Sequence, residues 1–261
     1  MIVIYYYHIP KCAGSYVTKL FRRCAKETGG KYINFYNPST VIDPEEKKQY
    51  FKFLKELPNQ PSDSHYFIHH HHGYPGLNEV YKALKRAKTK VQEDSLNKFY
   101  LFTSVREVLS FITSRVNYLR NHCNCKASFK RCYEIHTNHN YQLKYLLYNH
   151  VNNWRHDKID ISKPLALKTL GIIDKIYTPE DINQLISTLS TILQIDISKF
   201  WTDKKVNVSK KTFIMNSKDK KNLKSVNQLD TWLYEVALSA KHTSERDDED
   251  DEAICISISE E

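Results

Sequence analysis

The chain has 261 residues, 41% of them hydrophobic, and a formal net charge of +9 at pH 7. This length supports one large α/β domain. Because we find no apolar run of transmembrane length and no signal peptide, we expect a soluble, cytoplasmic protein without a membrane span. Nine acidic residues and one basic residue fall within 245–261, so the rest of the chain is more basic than the whole and favours anionic partners. We expect one domain over residues 1–241 and an acidic, disordered tail over residues 242–261.

Strand and helix patterns alternate along the chain. Continuous β-branched and aromatic runs predict strands at residues 2–7, 31–36, 65–72, 98–107 and 170–177. Amphipathic periodicity predicts helices at residues 15–26, 44–57, 77–95, 108–122, 141–151 and within 227–240. A further helix is predicted to begin at Pro179, with Thr178 as its N-cap and two acidic residues in its first turn. This alternation predicts a mainly parallel sheet with helices on both faces. The ligands of such sheets bind at the carboxyl ends of the strands.

The first candidate site is the turn of residues 8–15, which joins the first strand to the first helix. Small residues in such a turn let successive backbone N–H groups point at one anion, and the helix N-terminus adds its dipole. Gly14 permits close backbone approach, Ser15 adds a hydroxyl and Lys11 adds a mobile positive charge. The turn lacks the G-x-x-x-x-G-K-[ST] pattern of triphosphate loops. The alternative interpretation is an ordinary strand-to-helix turn with a surface lysine.

Two further candidate sites follow later strands. Arg106 ends the fourth predicted strand and Ser114 lies in the next helix, where a guanidinium fork and a hydroxyl can bind phosphate together. The histidine row 69–72 ends the third strand, and strand alternation allows at most two of these side chains on one face. One of them is placed to act as a general base. The alternatives are a surface arginine, an ordinary helix serine and a polar strand end.

Three of the six cysteines, Cys123, Cys125 and Cys132, fall in the segment HCNCKASFKRC. They are compatible with a local disulfide, with free thiols, or with zinc bound together with a nearby histidine. Because the spacing matches no strong zinc pattern, we predict no metal site.

Taken together, the three sites resemble those of the PAPS-dependent sulfotransferases, particularly the carbohydrate-type family. PAPS is 3′-phosphoadenosine 5′-phosphosulfate, and the family opens with the motif H-I-P-K-T-G-G-T-S. Here Pro10, Lys11 and Gly14 match this motif and Ser15 stands where the family has threonine. Cys12 replaces a threonine and Tyr16 replaces a serine, so two hydroxyl contacts of the family are missing and the backbone contacts remain.

The second motif of the family is R-[DE]-P-x-x-R-x-x-S. Arg106, Glu107 and Ser114 match it at the correct spacing, while valine replaces the proline and Phe111 replaces the second arginine. The candidates to compensate for that arginine are found on the same helix, at positions 115 and 120. The family also places a histidine at the end of an intervening strand, and His71 falls on that position.

Later segments are also similar to the family: IIDKIYTPEDINQLISTLSTIL, VNVSKK and NQLDTWLYEVAL, the last two resembling its closing N-x-S and N-x-x-D elements. The resemblance therefore covers roughly residues 1–240. It implies a P-loop-like sulfotransferase fold and the transfer of a sulfuryl group from PAPS to an acceptor hydroxyl, on a carbohydrate or another small molecule. The product is PAP, 3′-phosphoadenosine 5′-phosphate. The resemblance implies no metal and no nucleic-acid partner.

The resemblance also implies a role for each site residue. His71 takes the hydroxyl proton, and Lys11 stabilises the charge on the leaving phosphate and on the transferring sulfonate. The 3′-phosphate is held by Arg106 and Ser114. The 5′-phosphate is held by the loop residues Lys11, Cys12, Ala13, Gly14, Ser15 and Tyr16. Two other interpretations stay open, namely a P-loop-like small-molecule kinase and a non-catalytic module that binds polyanions.

Overall fold

The structure is a computed structural model that describes residues 1–36, 43–71, 74–122, 133, 139–148, 161–201 and 215–244. Its centre is a five-stranded sheet in the order β2-β3-β1-β4-β5, in which every pair of neighbouring strands is parallel. The strands are β1 (Ile2–Tyr7), β2 (Lys31–Phe35), β3 (His65–His70), β4 (Lys98–Ser104) and β5 (Lys175–Tyr177). The predicted α/β class with a parallel sheet is confirmed.

Helices connect the strands and cover both faces of the sheet. In the described residues they are α1 (Gly14–Thr28), α2 (Pro44–Glu56), α3 (Leu77–Gln92), α4 (Val108–His122), α5 (Tyr141–Tyr148), α6 (Lys163–Leu170), α7 (Ile182–Leu193), α8 (Ser217–Val226) and α9 (Gln228–Ser244). None of these helices combines the length and the apolar composition needed to cross a lipid bilayer.

The central strand β1 is buried on both faces, which explains its continuous apolar sequence. Val3, Tyr5 and Tyr7 point into the larger core, which is shared with α2, α3 and α5. Ile4 and Tyr6 point into the second core, which is shared with α1 and α7. This alternation along one strand makes a three-layer arrangement of helices, sheet and helices. It also places the end of β1 between the ends of β3 and β4.

The C-terminal third differs from the sequence prediction in two places. The strand expected at 170–177 is confined to Lys175–Tyr177, because Lys163–Leu170 forms α6 and residues 171–174 turn back toward the sheet. The helix expected to begin at Pro179, with Thr178 as its cap, starts as a 3-10 turn over Pro179–Asp181 and is α-helical only from residue 182. Both the hydroxyl and the N–H of Thr178 donate to the Asp181 carboxylate, at 2.7 and 3.2 Å, and this pair forms the turn.

Three predictions concern residues outside the described ranges. The cysteine-containing segment HCNCKASFKRC lies outside them after its first residue, and VNVSKK lies outside them entirely. Residues 245–261 of the acidic tail also lie outside, and α9 ends at Ser244.

Candidate functional site

The loop between β1 and α1 has a backbone conformation that turns an N–H group outward, as in loops that bind anions. Lys11 and Ala13 have positive φ values of 69° and 62°, on either side of Cys12. The Cys12 carbonyl accepts hydrogen bonds from the hydroxyls of Tyr6, at 3.0 Å, and Ser104. Because a trans peptide points its N–H opposite to its carbonyl, anchoring this carbonyl to the sheet turns the Ala13 N–H outward. Alternating backbone conformations of this kind form the concave nests that bind anions.

The first turn of α1 adds further donors to the loop. Among the described residues, the backbone N–H groups of Gly14 and Ser15 have no acceptor, as expected for the first positions of a helix. The first turn contains no acidic side chain and the Ala13 cap makes no side-chain hydrogen bond. The positive end of the helix dipole is therefore free to stabilise an anion.

Gly14 is required by the ring of His8, which packs directly on it. A Cβ atom at this position would lie 1.8 Å from Nε2 of His8. His8 is buried, and its Nδ1 atom has no hydrogen-bond partner among the described residues. The match of Gly14 to the family motif therefore has a local cause, which is the close approach of an imidazole to the helix backbone.

Replacing Gly14 with alanine is expected to destabilise the protein by about 1–3 kcal/mol, because the added methyl group must displace the His8 ring or the loop. Urea unfolding measures this change. The control is Gly171→Ala, where the nearest atom lies at 3.5 Å and the backbone is already helical, so little or no loss is expected. Equal stability of the Gly14 variant and the wild type would contradict the close packing of His8.

Three positively charged side chains converge beside the loop. The ammonium group of Lys11 lies 4.3 Å from the ring centroid of Tyr118. Arg106 donates from Nη1 to the Lys11 carbonyl at 3.4 Å. Arg115 packs its guanidinium over the ring of Tyr141 at 4.7 Å. Burial lowers the pKa of Lys11, and the positive charges of Arg115 and Arg106 lower it further, in that order.

This cationic cluster lacks an acidic partner. In the described part of the chain no carboxylate forms an ion pair with Lys11, Arg106 or Arg115. The Nε atoms of both arginines are buried, and the described residues offer neither atom a hydrogen-bond partner. Three cations held together without a counter-charge repel one another, so the arrangement is suited to a ligand that carries several negative charges. Phe111 stands where the family motif has its second arginine. Of the two candidates to compensate for it, Arg115 is the one whose charge acts on Lys11.

The side chain of Gln142 connects the loop to the end of β4. Its Oε1 accepts from the Arg106 N–H at 2.8 Å and from the Cys12 thiol at 3.3 Å. Its Nε2 donates to the Arg106 carbonyl at 2.8 Å. Gln142 is fully buried, so these bonds are shielded from water. The sequence analysis missed Gln142, which lies in a predicted helix and in no motif.

Two polar residues cap the helices α5 and α9 reciprocally. The carboxylate of Asp230 accepts from the N–H groups of Gln142, at 3.0 Å, and Leu143, at 2.9 Å, in the first turn of α5. The amide oxygen of Asn140 accepts from the N–H groups of Leu229, at 3.0 Å, and Asp230, at 3.2 Å, in the first turn of α9. Burial raises the pKa of Asp230 to about 6, and the two backbone donors oppose that rise.

The N-x-x-D element that resembles the family consists of Asn227 and Asp230. Asn227 accepts from the Asn140 N–H at 2.8 Å, so both of its polar residues hold the segment that begins α5. Their contribution to the site is therefore indirect and acts through α5.

The histidine row divides between the two faces of the sheet. His69 donates from Nδ1 to Asn34 at 2.8 Å and its Nε2 lies 3.2 Å from the Thr18 hydroxyl. His70 is buried in the opposite core, where its Nδ1 bonds to the hydroxyl of Tyr5. His71 follows the strand and is partly exposed. His72 lies outside the described residues.

His71 lies at the carboxyl edge of the sheet, beside the loop. Its ring centroid lies 3.9 Å from that of His8 and 5.8 Å from that of His69, so His69 and His71 share a face as strand alternation predicts. Its Nδ1 lies 3.2 Å from the Tyr145 hydroxyl. Tyr36 stacks on the ring at 5.3 Å and is itself 48% exposed. Of the three histidines described in this row, His71 is the one accessible to a substrate.

Because three histidines are buried, we expect the folded protein to be less stable at acidic pH. Burial lowers the pKa of His70 to about 3 and of His69 to about 4, and it lowers that of His8 well below its ordinary value. These rings stay neutral in the fold while the unfolded chain binds protons, so the free energy of unfolding should fall as pH drops from 6.5 to 4. Each contributes up to about 1.4 kcal/mol per pH unit. Asp230, with its raised pKa, opposes this trend below about pH 6. Urea unfolding at pH 7 and pH 5 measures the net fall.

The matched variant is His70→Asn, whose amide oxygen can still bond to the Tyr5 hydroxyl. Between pH 6.5 and pH 4, this variant should reduce the slope of the free energy of unfolding against pH by up to about 1.4 kcal/mol per pH unit. An unchanged dependence would show that His70 is not neutral in the folded protein.

Two side chains of the loop that were predicted to contact the ligand, those of Cys12 and Tyr16, are instead buried in the protein. The Cys12 thiol is buried and donates to Gln142, and burial raises its pKa. The Tyr16 ring is buried, and its hydroxyl accepts from the Trp201 indole N–H at 2.6 Å. At these two positions the backbone alone remains to contact a ligand. Ser15 is exposed in the first turn of α1, and Ser114 is partly buried, with no hydrogen bond to Arg106 among the described residues.

Metal ligands do not gather in the described part of the chain, where no group of three or more such side chains occurs. Cys12 and Cys24 are free and buried. The cysteines at 123, 125 and 132 lie outside the described residues.

The fold is an α/β fold with a five-stranded parallel sheet, consistent with P-loop-like folds, and backbone with positive φ at Lys11 and Ala13 follows its first strand. The sequence matches no protein-family model, and no curated protein matches it at a significant level.

Proposed function

We propose that this protein transfers the sulfuryl group of PAPS to a hydroxyl group of a carbohydrate acceptor. The observation that carries the proposal is the cluster of Lys11, Arg106 and Arg115, which has no acidic partner among the described residues and lies beside the N-terminus of α1. His71, whose Nδ1 lies 3.2 Å from the Tyr145 hydroxyl, lies just past the end of an adjacent strand.

The residues present fit the donor. PAPS carries a phosphosulfate at one end of its ribose and a phosphate at the other. The outward N–H groups of residues 13–15 and the Lys11 ammonium would hold the 5′-phosphosulfate. Arg106, just before α4, would hold the 3′-phosphate together with Ser114 on α4, and Arg115 on α4 would supply the charge that Phe111 does not. The buried, unpartnered Nε atoms of both arginines support this assignment, because a phosphate would satisfy them.

The transfer follows from these positions. The acceptor oxygen forms a bond to sulfur while the bond between sulfur and the 5′-phosphate oxygen breaks, and the released PAP takes that electron pair. His71 takes the hydroxyl proton. Lys11 offsets the charge that grows on the leaving phosphate. Positioning and fixed charges would account for most of the acceleration.

An exposed aromatic surface supports a ring-shaped acceptor. Tyr36 stacks on His71 and is 48% exposed, and Tyr118, which faces Lys11, is 38% exposed. Exposed tyrosines beside both proposed catalytic groups are suited to the flat apolar face of a sugar.

Ligand-induced stabilisation tests the proposal. We expect PAP to raise the melting temperature, and ATP with Mg²⁺ and duplex DNA at matched concentrations to raise it much less. Lys11→Ala should reduce the PAP effect. Stronger stabilisation by ATP with Mg²⁺ would favour a kinase, and equal stabilisation by DNA would favour a polyanion-binding module.

A further inference from the structure

The short helix α5 contacts both halves of the proposed site through one face. Gln142 and Tyr145 are three residues apart and therefore lie on the same side of the helix. Gln142 holds the Arg106 backbone by two hydrogen bonds of 2.8 Å. The Tyr145 hydroxyl lies 3.2 Å from Nδ1 of His71. One turn of α5 therefore connects Arg106, which is proposed to bind the donor, with His71, the proposed base.

We propose that Tyr145 is a positioning residue, whose hydroxyl oxygen accepts the Nδ1–H of His71 and so directs the Nε2 lone pair toward the acceptor. This inference rests on the proposed sulfuryl transfer, since it concerns the base of that reaction. A neutral imidazole carries one N–H and one lone pair, so fixing the proton on Nδ1 leaves Nε2 as the basic atom. When Nε2 takes the acceptor proton, Tyr145 still accepts from Nδ1–H and stabilises the imidazolium.

Tyr145 is rigidly held for this role. It is fully buried, and its backbone carbonyl accepts from the Tyr7 hydroxyl at 2.9 Å. Its ring stacks on Tyr141 at 5.9 Å. Burial raises its pKa well above the ordinary tyrosine value, so the phenol keeps its proton and cannot itself serve as the base. At its start the helix is capped by Asp230.

The test is Tyr145→Phe, which removes the hydroxyl and keeps the ring. We expect kcat to fall about 10- to 100-fold, as is usual when the partner that orients a histidine is lost. PAP affinity should change less than twofold. The acidic limb of the pH–rate profile should move to lower pH, because the imidazolium loses an acceptor. The matched control is Tyr50→Phe, which removes another buried hydroxyl, one that bonds to Tyr5 at 2.6 Å, and should leave kcat unchanged.

Unchanged kcat in Tyr145→Phe, or an acidic limb moved to higher pH, would overturn the inference. A second readout does not depend on turnover. Nitrogen NMR of the histidine rings, with the His71 signals assigned from their loss in His71→Ala, should show the proton of neutral His71 on Nδ1. In Tyr145→Phe this proton should move partly to Nε2. A wild-type proton on Nε2 would overturn the positioning role even if sulfuryl transfer is confirmed. A proton on Nδ1 in a protein that PAP does not stabilise would support the positioning and refute the transfer.

Discussion

Replacing Arg106 with alanine is expected to weaken PAP binding by about 2–4 kcal/mol, the usual loss when one partner of a buried, charge-assisted pair is removed. The guanidinium lies in a cluster with Lys11 and Arg115, and its Nε atom is buried without a partner among the described residues. A bound phosphate would satisfy that atom, so its truncation leaves the phosphate without its forked donor. Isothermal calorimetry with PAP measures the change, in which every 1.4 kcal/mol is a tenfold loss of affinity.

Two further variants test whether the effect is specific to the cationic cluster. Arg86→Ala removes the same charge from an exposed position on α3 and should leave PAP affinity nearly unchanged. Arg115→Ala should weaken binding, because its charge acts on the same cluster. Unaltered affinity in the Arg106 variant would refute its assignment to the 3′-phosphate.

Replacing His71 with alanine is expected to reduce turnover by about 10²- to 10⁴-fold, the usual contribution of a general base. PAP affinity should change little, because the base acts on the acceptor hydroxyl and not on the donor. Single-turnover sulfuryl transfer measures the rate. Lys11→Ala should differ by reducing affinity and rate together, since the ammonium contacts the donor in the proposed complex.

The neighbouring histidines serve as controls within the same row. His69 is engaged with Asn34 and Thr18, and His70 is buried in the opposite core, so their alanine variants should lose stability and retain most of the turnover per folded molecule. Full activity in His71→Ala together with a large loss in His69→Ala or His72→Ala would move the base to another residue of the row. Full activity in all the single variants would rule out histidine as the base.

Local signals predicted the elements that build the loop. The bounds of β1 were correct because a strand buried on both faces has a continuous apolar sequence. The end of α1 was predicted at residue 26, two residues early, because the helix continues to Thr28, where Gly29, with φ of 66°, adopts the left-handed conformation that terminates helices. Tyr16 lies with Val17 and Leu20 on the buried face of α1, although the motif suggested a ligand contact.

The connections that hold the site together were not predictable. Gln142 bonds to Arg106 over 36 residues of chain, and Asp230 bonds to Gln142 over 88. Such pairs form only when distant helices dock, so neither partner has a local pattern that marks it. The family motif indicated the N-x-x-D element but not its physical role in capping α5.

The cap that Asp230 places on α5 has a consequence for protein synthesis. A ribosome produces all five strands before it reaches residue 230, and the sheet can therefore begin to assemble while the last helix is still missing. Until α9 is released, the first turn of α5 lacks the carboxylate that accepts its N–H groups, and Gln142 lacks its fixed position against Arg106. We expect nascent chains that end before Asn227 to fold a sheet and yet bind no nucleotide. Competence for the donor would then depend on the release and docking of α9 and not on the assembly of the sheet alone.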